Sequence, residues 1–237
     1  MAISRMGRFI SSSNSWKYIF ERNLGDDSDL DSNLLLQENG FIKGNHSSFS
    51  FIEFQDYVQS IFLLCRRGIK DSIYEIGCGN GLFIATMAKA NGIKLFGGSD
   101  LSINRIKKAR SLFPKGTWST SDALQDTNIS GFLFGNSVLQ YFPDQGYLES
   151  FVHSLRKLTL DGMALLDIPK TNSPMTDFAS RGFYNKNELF HLRISPEWLL
   201  TYLRNLFGKD YEFHVSPQTP LSYHSGSDRF NIIGFRK

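Results

Sequence analysis

Helix-like and strand-like patterns alternate along residues 51–168, and no other feature of the sequence constrains the fold as strongly. Apolar residues recur at three- and four-residue steps in four segments: 51–67, 82–90, 102–112 and 147–160. Short apolar runs typical of strands lie between and after them: 73–76, 94–99, 117–120, 131–135 and 163–168. Such helical crossovers join parallel strands, so the pattern predicts a three-layer, doubly wound α/β fold.

The chain after residue 168 follows a different pattern. Residues 171–192 show no clean period and are predicted to be an insertion that covers a substrate. Ser195 and Pro196 open a helix that runs to about Phe207. Two strand-like segments, 211–215 and 229–236, follow with about thirteen residues between them. That is too few for a helical crossover, so they are expected to pair antiparallel at the sheet edge.

Length and charge bound the classes of protein that fit. The 237 residues are expected to form one domain over 50–237, preceded by an N-terminal arm or cap over 1–49. The net charge of +3 argues against a dedicated nucleic-acid binder. No apolar run approaches the ~18 residues of a membrane helix, so no membrane partner is expected. Two cysteines, Cys65 and Cys78, favour free thiols and a cytoplasmic location.

A glycine-rich loop between a strand and a helix carries the strongest functional signal. Gly77, Gly79 and Gly81 allow a tight turn and a close ligand approach to the backbone, and Glu75 precedes them. The spacing is not a dinucleotide fingerprint, because position 82 is leucine. No Gly-Lys-Ser/Thr follows, so the loop is not a phosphate-binding P-loop either.

Two acidic residues at predicted strand ends extend this site. Asp100 closes the second strand, where a carboxylate is placed to accept both hydroxyls of a ribose. Asp122 follows the third strand and is suited to an exocyclic amine of adenine. These acceptors predict an adenosine site without a phosphate counter-charge. That profile indicates S-adenosylmethionine rather than NAD or ATP.

Residues of about 50–168 resemble the class I S-adenosylmethionine-dependent methyltransferases. The resemblance is carried by the loop 75–81, Asp100, Ser121-Asp122-Ala123 and the segment 135–144, in which Gln140 and Tyr141 stand where two histidines are common. It implies a mostly parallel, seven-stranded sheet with an antiparallel terminal strand, in agreement with the hairpin expected above. It also implies methyl transfer from S-adenosylmethionine, which leaves S-adenosylhomocysteine.

The same resemblance implies roles for individual residues. Glu75 would serve the methionine amino group through water, and Asp122 with the Ala123 backbone would hold adenine. Asn136 and Gln140 would lie near the methionine and acceptor end, while Cys78 is interpreted as a small packing residue. The candidate cofactor-binding residues are Glu75, Gly77, Cys78, Gly79, Gly81, Asp100, Leu101, Asp122, Ala123, Asn136, Ser137 and Gln140.

The methyl acceptor is predicted to be a small molecule. Methyltransferases of nucleobase amines carry two prolines after the fourth strand, whereas this chain has Asn136-Ser-Val-Leu139. The basic residues of 105–110 are interpreted as a solvated helix face. Tyr141 and His191 are the preferred acceptor-side catalytic candidates, ahead of His224 and Asp167. No Cys/His/Asp cluster has the spacing of a metal site.

Several questions stay open at the level of sequence. The acceptor atom is N or O, and the protein is a monomer or a homodimer. Two other functions fit the same fold: an aminopropyl-transferase-like enzyme, and a non-catalytic subunit that binds S-adenosylmethionine. The first would need further acids near the acceptor, where the sequence offers only Asp144.

Overall fold

The computed structural model describes Leu36 and residues 50–126, 129–158, 160–184, 187–218 and 228–237, with side chains throughout except at 181–187. The helices are α1 (Phe51–Cys65), α2 (Leu82–Asn91), α3 (Ile103–Leu112), α4 (Gln145–Arg156) and α5 (Pro196–Phe207). The strands are β1 (Ser72–Ile76), β2 (Leu95–Asp100), β3 (Thr117–Thr120), β4 (Gly131–Asn136), β5 (Leu160–Pro169), β6 (Thr176–Tyr184), β7 (Asn187–Ile194), β8 (Tyr211–Pro217) and β9 (Arg229–Arg236).

The main sheet has seven strands in the order β3-β2-β1-β4-β5-β9-β8. Strands β1 to β5 are parallel, while β9 pairs antiparallel with both β5 and β8. The predicted doubly wound sheet and its edge hairpin are therefore confirmed. Because the chain runs outward from β1 to β3 and then returns to β4, the strand order reverses between β1 and β4. Ligands of open α/β sheets bind at the carboxyl ends of the strands on either side of such a reversal.

Local capping fixes where the helices begin. The Ser102 hydroxyl accepts a hydrogen bond from the Arg105 backbone at 3.3 Å, so α3 begins three residues after the end of β2. Ser195 caps α5 in the same way through the Trp198 backbone. The sequence predicted that helices begin at residue 102 and at Ser195, and both caps place a helix directly behind the end of a strand.

Helix α4 is shorter than the sequence predicted. It ends at Arg156, and residue 160, the predicted end of this helix, is the first residue of β5 instead. Gly162 pairs with Phe132 on one side and Phe235 on the other, and a Cβ there would come within 2.5 Å of the Phe132 ring. The glycine therefore serves close strand packing, which the sequence pattern could not distinguish from a helix stop.

The predicted insertion over 171–192 forms a regular antiparallel hairpin of β6 and β7. Arg193 donates two hydrogen bonds to Asp177, from Nε at 2.7 Å and from Nη2 at 2.6 Å. Burial raises the pKa of Asp177, but hydrogen bonds from Arg193, Thr171 and Ser173 outweigh it and hold this pKa below its usual value. Strand β7 packs against β5 and against the 3-10 turn Leu139–Tyr141.

The core has two clusters, to which neighbouring residues of β4 contribute alternately. Phe132 and Phe134 join the cluster beneath α1, α2 and α3, whereas Leu133 joins the cluster beneath α4 and α5. Leu36, 2% exposed, belongs to the first cluster, and the rest of the predicted N-terminal arm lies outside the described residues. Among the helices that the structure describes, none has the length and apolar content to cross a membrane.

Candidate functional site

A cleft at the carboxyl ends of β1 to β4 brings most of the predicted site together. It encloses about 1070 Å³, a volume that includes the open space at its mouth. Of the twelve candidate cofactor-binding residues, eight line it: Gly77, Gly79, Asp100, Leu101, Asp122, Ala123, Asn136 and Ser137. Glu75, Cys78, Gly81 and Gln140 lie outside its wall.

The glycine loop forms the part of the wall that follows β1. Gly77 and Gly79 have φ of +63° and +57°, a region that side-chain-bearing residues rarely adopt. A Cβ on Gly77 would also come within 2.5 Å of Val138, which follows β4. Cys78 is 4% exposed, and burial raises the pKa of its thiol, which favours the neutral, protonated form.

Asp100 connects the loop to the next helix. Its Oδ2 accepts from the Gly79 backbone at 2.9 Å, and its Oδ1 accepts from the Ser102 backbone at 2.8 Å. The carboxylate is therefore held in the cleft wall by two backbone groups. This rigid placement is what recognition of a ligand hydroxyl pair requires.

Asp122 is also held in place, and its partner was missed by the sequence analysis. The Tyr147 hydroxyl, from the first turn of α4, donates to Asp122 Oδ1, and the Leu124 backbone donates to the same oxygen at 2.8 Å. Burial and the bond to Asp122 raise the pKa of Tyr147, so the phenol stays protonated. The sequence feature that could have indicated this contact is Asp144. Its side chain caps the start of α4, and this start places Tyr147 in the cleft wall.

Glu75 lies in the core beside the loop. It is 2% exposed, and its Oε2 has no hydrogen-bond partner among the residues that the structure describes. Burial raises the pKa of this carboxyl well above its usual value; the Ile84 backbone opposes the rise, and the charge of Asp100 adds to it. The structure therefore places a buried, unsatisfied carboxyl oxygen next to the strand end that carries the loop.

Arg105 corrects the prediction of a solvated helix face. Lys107 and Arg110 are exposed, but Arg105 is 4% exposed and lines the cleft, and Lys108 is 9% exposed. The sequence feature that indicated burial is the spacing: position 105 lies one helical turn before the buried Ala109, on the same face of α3. The cleft wall therefore does contain one cation. With Asp100 and Asp122 its formal charge is 1 − 2 = −1.

The far end of the cleft, beyond β4, is built by residues distant in sequence. Asn136 Oδ1 accepts from the Tyr57 hydroxyl of α1 at 2.9 Å. Ser137 has φ of +54°, and its hydroxyl donates to Asp167 Oδ2 at the end of β5. The wall at this end is thus anchored both to α1 and to β5.

Behind that wall lies a buried ion pair that the sequence did not reveal. Arg229 Nη1 is 2.8 Å from Asp167 Oδ2, and the two side chains are 7% and 1% exposed. The same nitrogen is 2.8 Å from Gln140 Oε1. Gln140 therefore supports the wall from behind, and its contact with a cofactor stays a prediction.

The two preferred catalytic candidates come together. Tyr141 lines the cleft, and its ring meets the His191 ring edge-on, with centroids 5.1 Å apart and an interplanar angle of 87°. His191 is 7% exposed and stands behind Tyr141 on β7, outside the wall. Burial raises the pKa of Tyr141, which favours a neutral phenol. Of the other candidates, Asp167 pairs with Arg229, and His224 lies outside the described residues.

Known proteins resemble the chain in part of its sequence and in its fold. No protein-family model matches it. The cyclosporin synthetase simA of Tolypocladium inflatum is 31% identical to it over 98 residues, 36% of this chain. The chain spans about 1% of the length of that relative.

Solved structures agree over most of the chain. The sugar N-methyltransferase KedS8 from Streptoalloteichus sp ATCC 53650 has a TM-score of 0.59 at 13% identity, covering 90% of this chain and 96% of its own. The N-methyltransferase NodS from Bradyrhizobium japonicum WM9, solved with S-adenosylhomocysteine, has a TM-score of 0.57 at 16% identity and coverages of 93% and 97%. The glycopeptide N-methyltransferase MtfA, solved with S-adenosylmethionine, has a TM-score of 0.59 at 9% identity and coverages of 76% and 94%. The chain therefore has the fold of the class I methyltransferases.

Proposed function

We propose that the chain is an S-adenosylmethionine-dependent methyltransferase that acts on N or O of a small molecule. The cleft across the ends of β1 to β4 carries this proposal, because it combines a glycine floor with carboxylates after β2 and β3. The structural neighbours whose names state methyl transfer to nitrogen support it.

The residues present fit S-adenosylmethionine. Asp100 and Asp122 offer acceptors for ribose hydroxyls and an adenine amine, and the wall charge of −1 suits a ligand that carries a sulfonium and an ammonium group. Within the described part of the chain, one buried oxygen of Glu75 has no hydrogen-bond partner, which suits a nearby ammonium group or its bound water. A ligand with several phosphates would face two carboxylates against one guanidinium.

When bound, S-adenosylmethionine would supply a methyl group carried on a sulfonium. The neutral thioether that remains after transfer is a good leaving group. The chain's own residues then have to bind, align and exclude water, and alignment alone contributes about 7–11 kcal/mol in favourable cases. Gly77 and Gly79 let the ligand reach the loop backbone. Tyr141 and Phe142 line the far end, where aromatic faces attract a cation.

Tyr141 and His191 are proposed as the acceptor-side pair. The Tyr141 hydroxyl, kept neutral by burial, is able to donate to or accept from the acceptor. The His191 ring packs against that ring in an edge-on arrangement. An amine acceptor would need only to arrive neutral, whereas a hydroxyl acceptor would need a proton acceptor at this end.

The proposal is tested by methyl incorporation from labelled S-adenosylmethionine into a panel of small amines and hydroxyl compounds. We expect transfer to at least one compound by the wild-type chain and a loss of more than tenfold in Asp100→Ala. Asp161→Ala is the matched control, because Asp161 pairs with the exposed Lys70 and does not belong to the described cleft lining. Tight cofactor binding without transfer to any compound would support a non-catalytic subunit instead.

The aminopropyl-transferase alternative finds no support in the described wall. The acidic residues of this wall, Asp100 and Asp122, both lie at the β2–β3 end, and Asp144 is outside the wall and caps α4.

We also propose a reducing, cytoplasmic environment, which the two free, buried thiols Cys65 and Cys78 support. The choice between monomer and homodimer, and the covering role of the β6–β7 hairpin and residues 1–49, stay predictions.

A further inference from the structure

We infer that the Asp167–Arg229 ion pair positions the turn 137–141 at the methionine end of the cleft. The inference rests on the proposed function, because that function defines which end of the cleft holds methionine. Both residues act through the wall behind which they lie, so they are positioning residues and not catalytic ones.

The order of the strands defines the two ends. Asp122 follows β3, Asp100 ends β2, the glycine loop follows β1, and the turn 137–141 follows β4. These strands are neighbours in that order, so the cleft runs across the sheet from an adenine end to the turn. An adenosine held by Asp100 and Asp122 therefore directs its 5′ substituent toward Ser137 and Tyr141.

The backbone is unusual at this end. Among the residues that the structure describes, Ser137 and Asp167 are the non-glycine residues with positive φ, +54° and +57°. They follow or lie within neighbouring strands, and their side chains hydrogen-bond to each other. Such conformations persist only where the surroundings hold them, and they concentrate at functional sites.

Strand β9 supplies the supports. The pairing of β5 with β9 shifts between Leu165 and Ile168, so Asp167 lies in an irregular stretch. There the Asn231 side chain accepts from the Asp167 backbone at 2.9 Å and satisfies its N–H group. The irregularity leaves the Asp167 carboxylate hydrogen-bonded to both Ser137 and Arg229.

Arg229 then extends the connection to the aromatic wall. Its Nη1 reaches Gln140 at 2.8 Å, and the next residue, Tyr141, lines the cleft. A buried ion pair is a poor source of stability compared with an apolar pair. Its placement directly behind the cleft wall is explained by a need for fixed geometry at Ser137 and Tyr141.

Two ligands separate this role from general damage. S-Adenosylhomocysteine carries the amino-acid chain, and 5′-methylthioadenosine keeps the adenosine and sulfur but lacks that chain. Titration calorimetry of Arg229→Gln should show a loss of at least tenfold for S-adenosylhomocysteine and less than twofold for 5′-methylthioadenosine. Asp100→Asn should weaken both ligands by similar factors, because Asp100 lies at the shared adenosine end.

Three further variants test the assignment. Arg229→Lys keeps the charge and should recover part of the lost affinity. Arg193→Gln breaks the partly exposed pair with Asp177 and should leave both affinities within twofold. In Arg229→Gln/Asp167→Asn neither charge remains, and asparagine tolerates the positive φ. We therefore expect this double variant to fold even if Arg229→Gln alone does not.

The double variant decides the matter. We expect its melting temperature to approach that of the wild type while its preference for S-adenosylhomocysteine over 5′-methylthioadenosine stays reduced, because Gln is too short to replace the Arg229 contacts. Recovery of the wild-type preference together with stability would overturn the inference and leave the proposed function intact. A wild-type chain that binds neither ligand would overturn the proposed function, and the inference with it.

Discussion

The two ends of the cleft are built in different ways. Near β2 and β3, Asp100 is held by backbone groups of Gly79 and Ser102, 21 and 2 residues away along the chain. Near β4 and β5, Gln140 and Asp167 are held by Arg229, 89 and 62 residues away. The first end depends on local loops and caps, whereas the second depends on the completed sheet. Damage at the first end should therefore affect ligand binding, and damage at the second should affect folding as well.

The largest expected effect is on stability at the β4–β5 end. Arg229→Gln leaves the Asp167 charge buried without its cation, which should lower the free energy of unfolding by about 3–5 kcal/mol. Urea unfolding followed by tryptophan fluorescence measures it. An unchanged unfolding midpoint would contradict the buried pair, and Arg193→Gln is the control for a partly exposed pair.

The next effect is on binding at the β2–β3 end. Asp100→Ala removes a charged hydrogen-bond acceptor, which should weaken S-adenosylhomocysteine by about 2–3 kcal/mol, or roughly 30- to 150-fold. Calorimetry measures the affinity, and Asp161→Ala serves again as the control. Affinity retained within a few-fold would refute the ribose assignment of Asp100.

Glu75 should make stability depend on pH. Burial raises the pKa of this carboxyl from 4.5, so the folded state binds its proton more tightly than the unfolded state does. The stability from this group is fully present below pH 4.5 and is lost as the pH rises toward the folded-state pKa. Relative to Glu75→Gln, the wild type should lose about 1.4 kcal/mol per pH unit in that window. Chemical unfolding measures the free energy at each pH, and the same pH dependence in the wild type and in Glu75→Gln would contradict this prediction. Glu212→Gln, at an exposed site, is the control.

The smallest effect concerns the partner of Asp122. Tyr147→Phe removes one hydrogen bond and should weaken S-adenosylhomocysteine and 5′-methylthioadenosine equally, by about 1 kcal/mol or roughly fivefold. A selective loss of S-adenosylhomocysteine would place Tyr147 at the other end of the cleft and contradict the description of the wall. Tyr202→Phe, on the surface of α5, is the matched control.

The sequence predicted the β2–β3 end well for a physical reason. Strand periodicity locates the strand ends, and parallel strands bring their carboxyl ends to one edge, so Asp100, Asp122 and the glycine loop had to meet. The same reasoning located the caps Ser102 and Ser195. It missed Arg105 because a cation on a helix is usually exposed, and only the stripe shared with Ala109 indicated otherwise.

The β4–β5 end was beyond such reasoning. Nothing near Arg229 in the sequence indicates that it pairs with Asp167, since that contact exists only once β9 has paired with β5. The hairpin of β6 and β7 was missed because neither strand shows a clean alternation of apolar and polar residues. A pair between Asp177 and Arg193, which the sequence pattern does not reveal, stabilises this hairpin. The sequence named Tyr141 and His191 separately as acceptor-side candidates. Their contact depends on tertiary structure, because it forms where β7 packs on the Leu139–Tyr141 turn.

Titration calorimetry of the wild-type chain with S-adenosylhomocysteine tests the central claim most directly. The cleft described above predicts saturable binding of one ligand per chain, weakened at least thirtyfold in Asp100→Ala and unchanged in Asp161→Ala. Absence of binding by a folded wild-type chain, or equal affinity in all three, would contradict the assignment of the cleft to this cofactor.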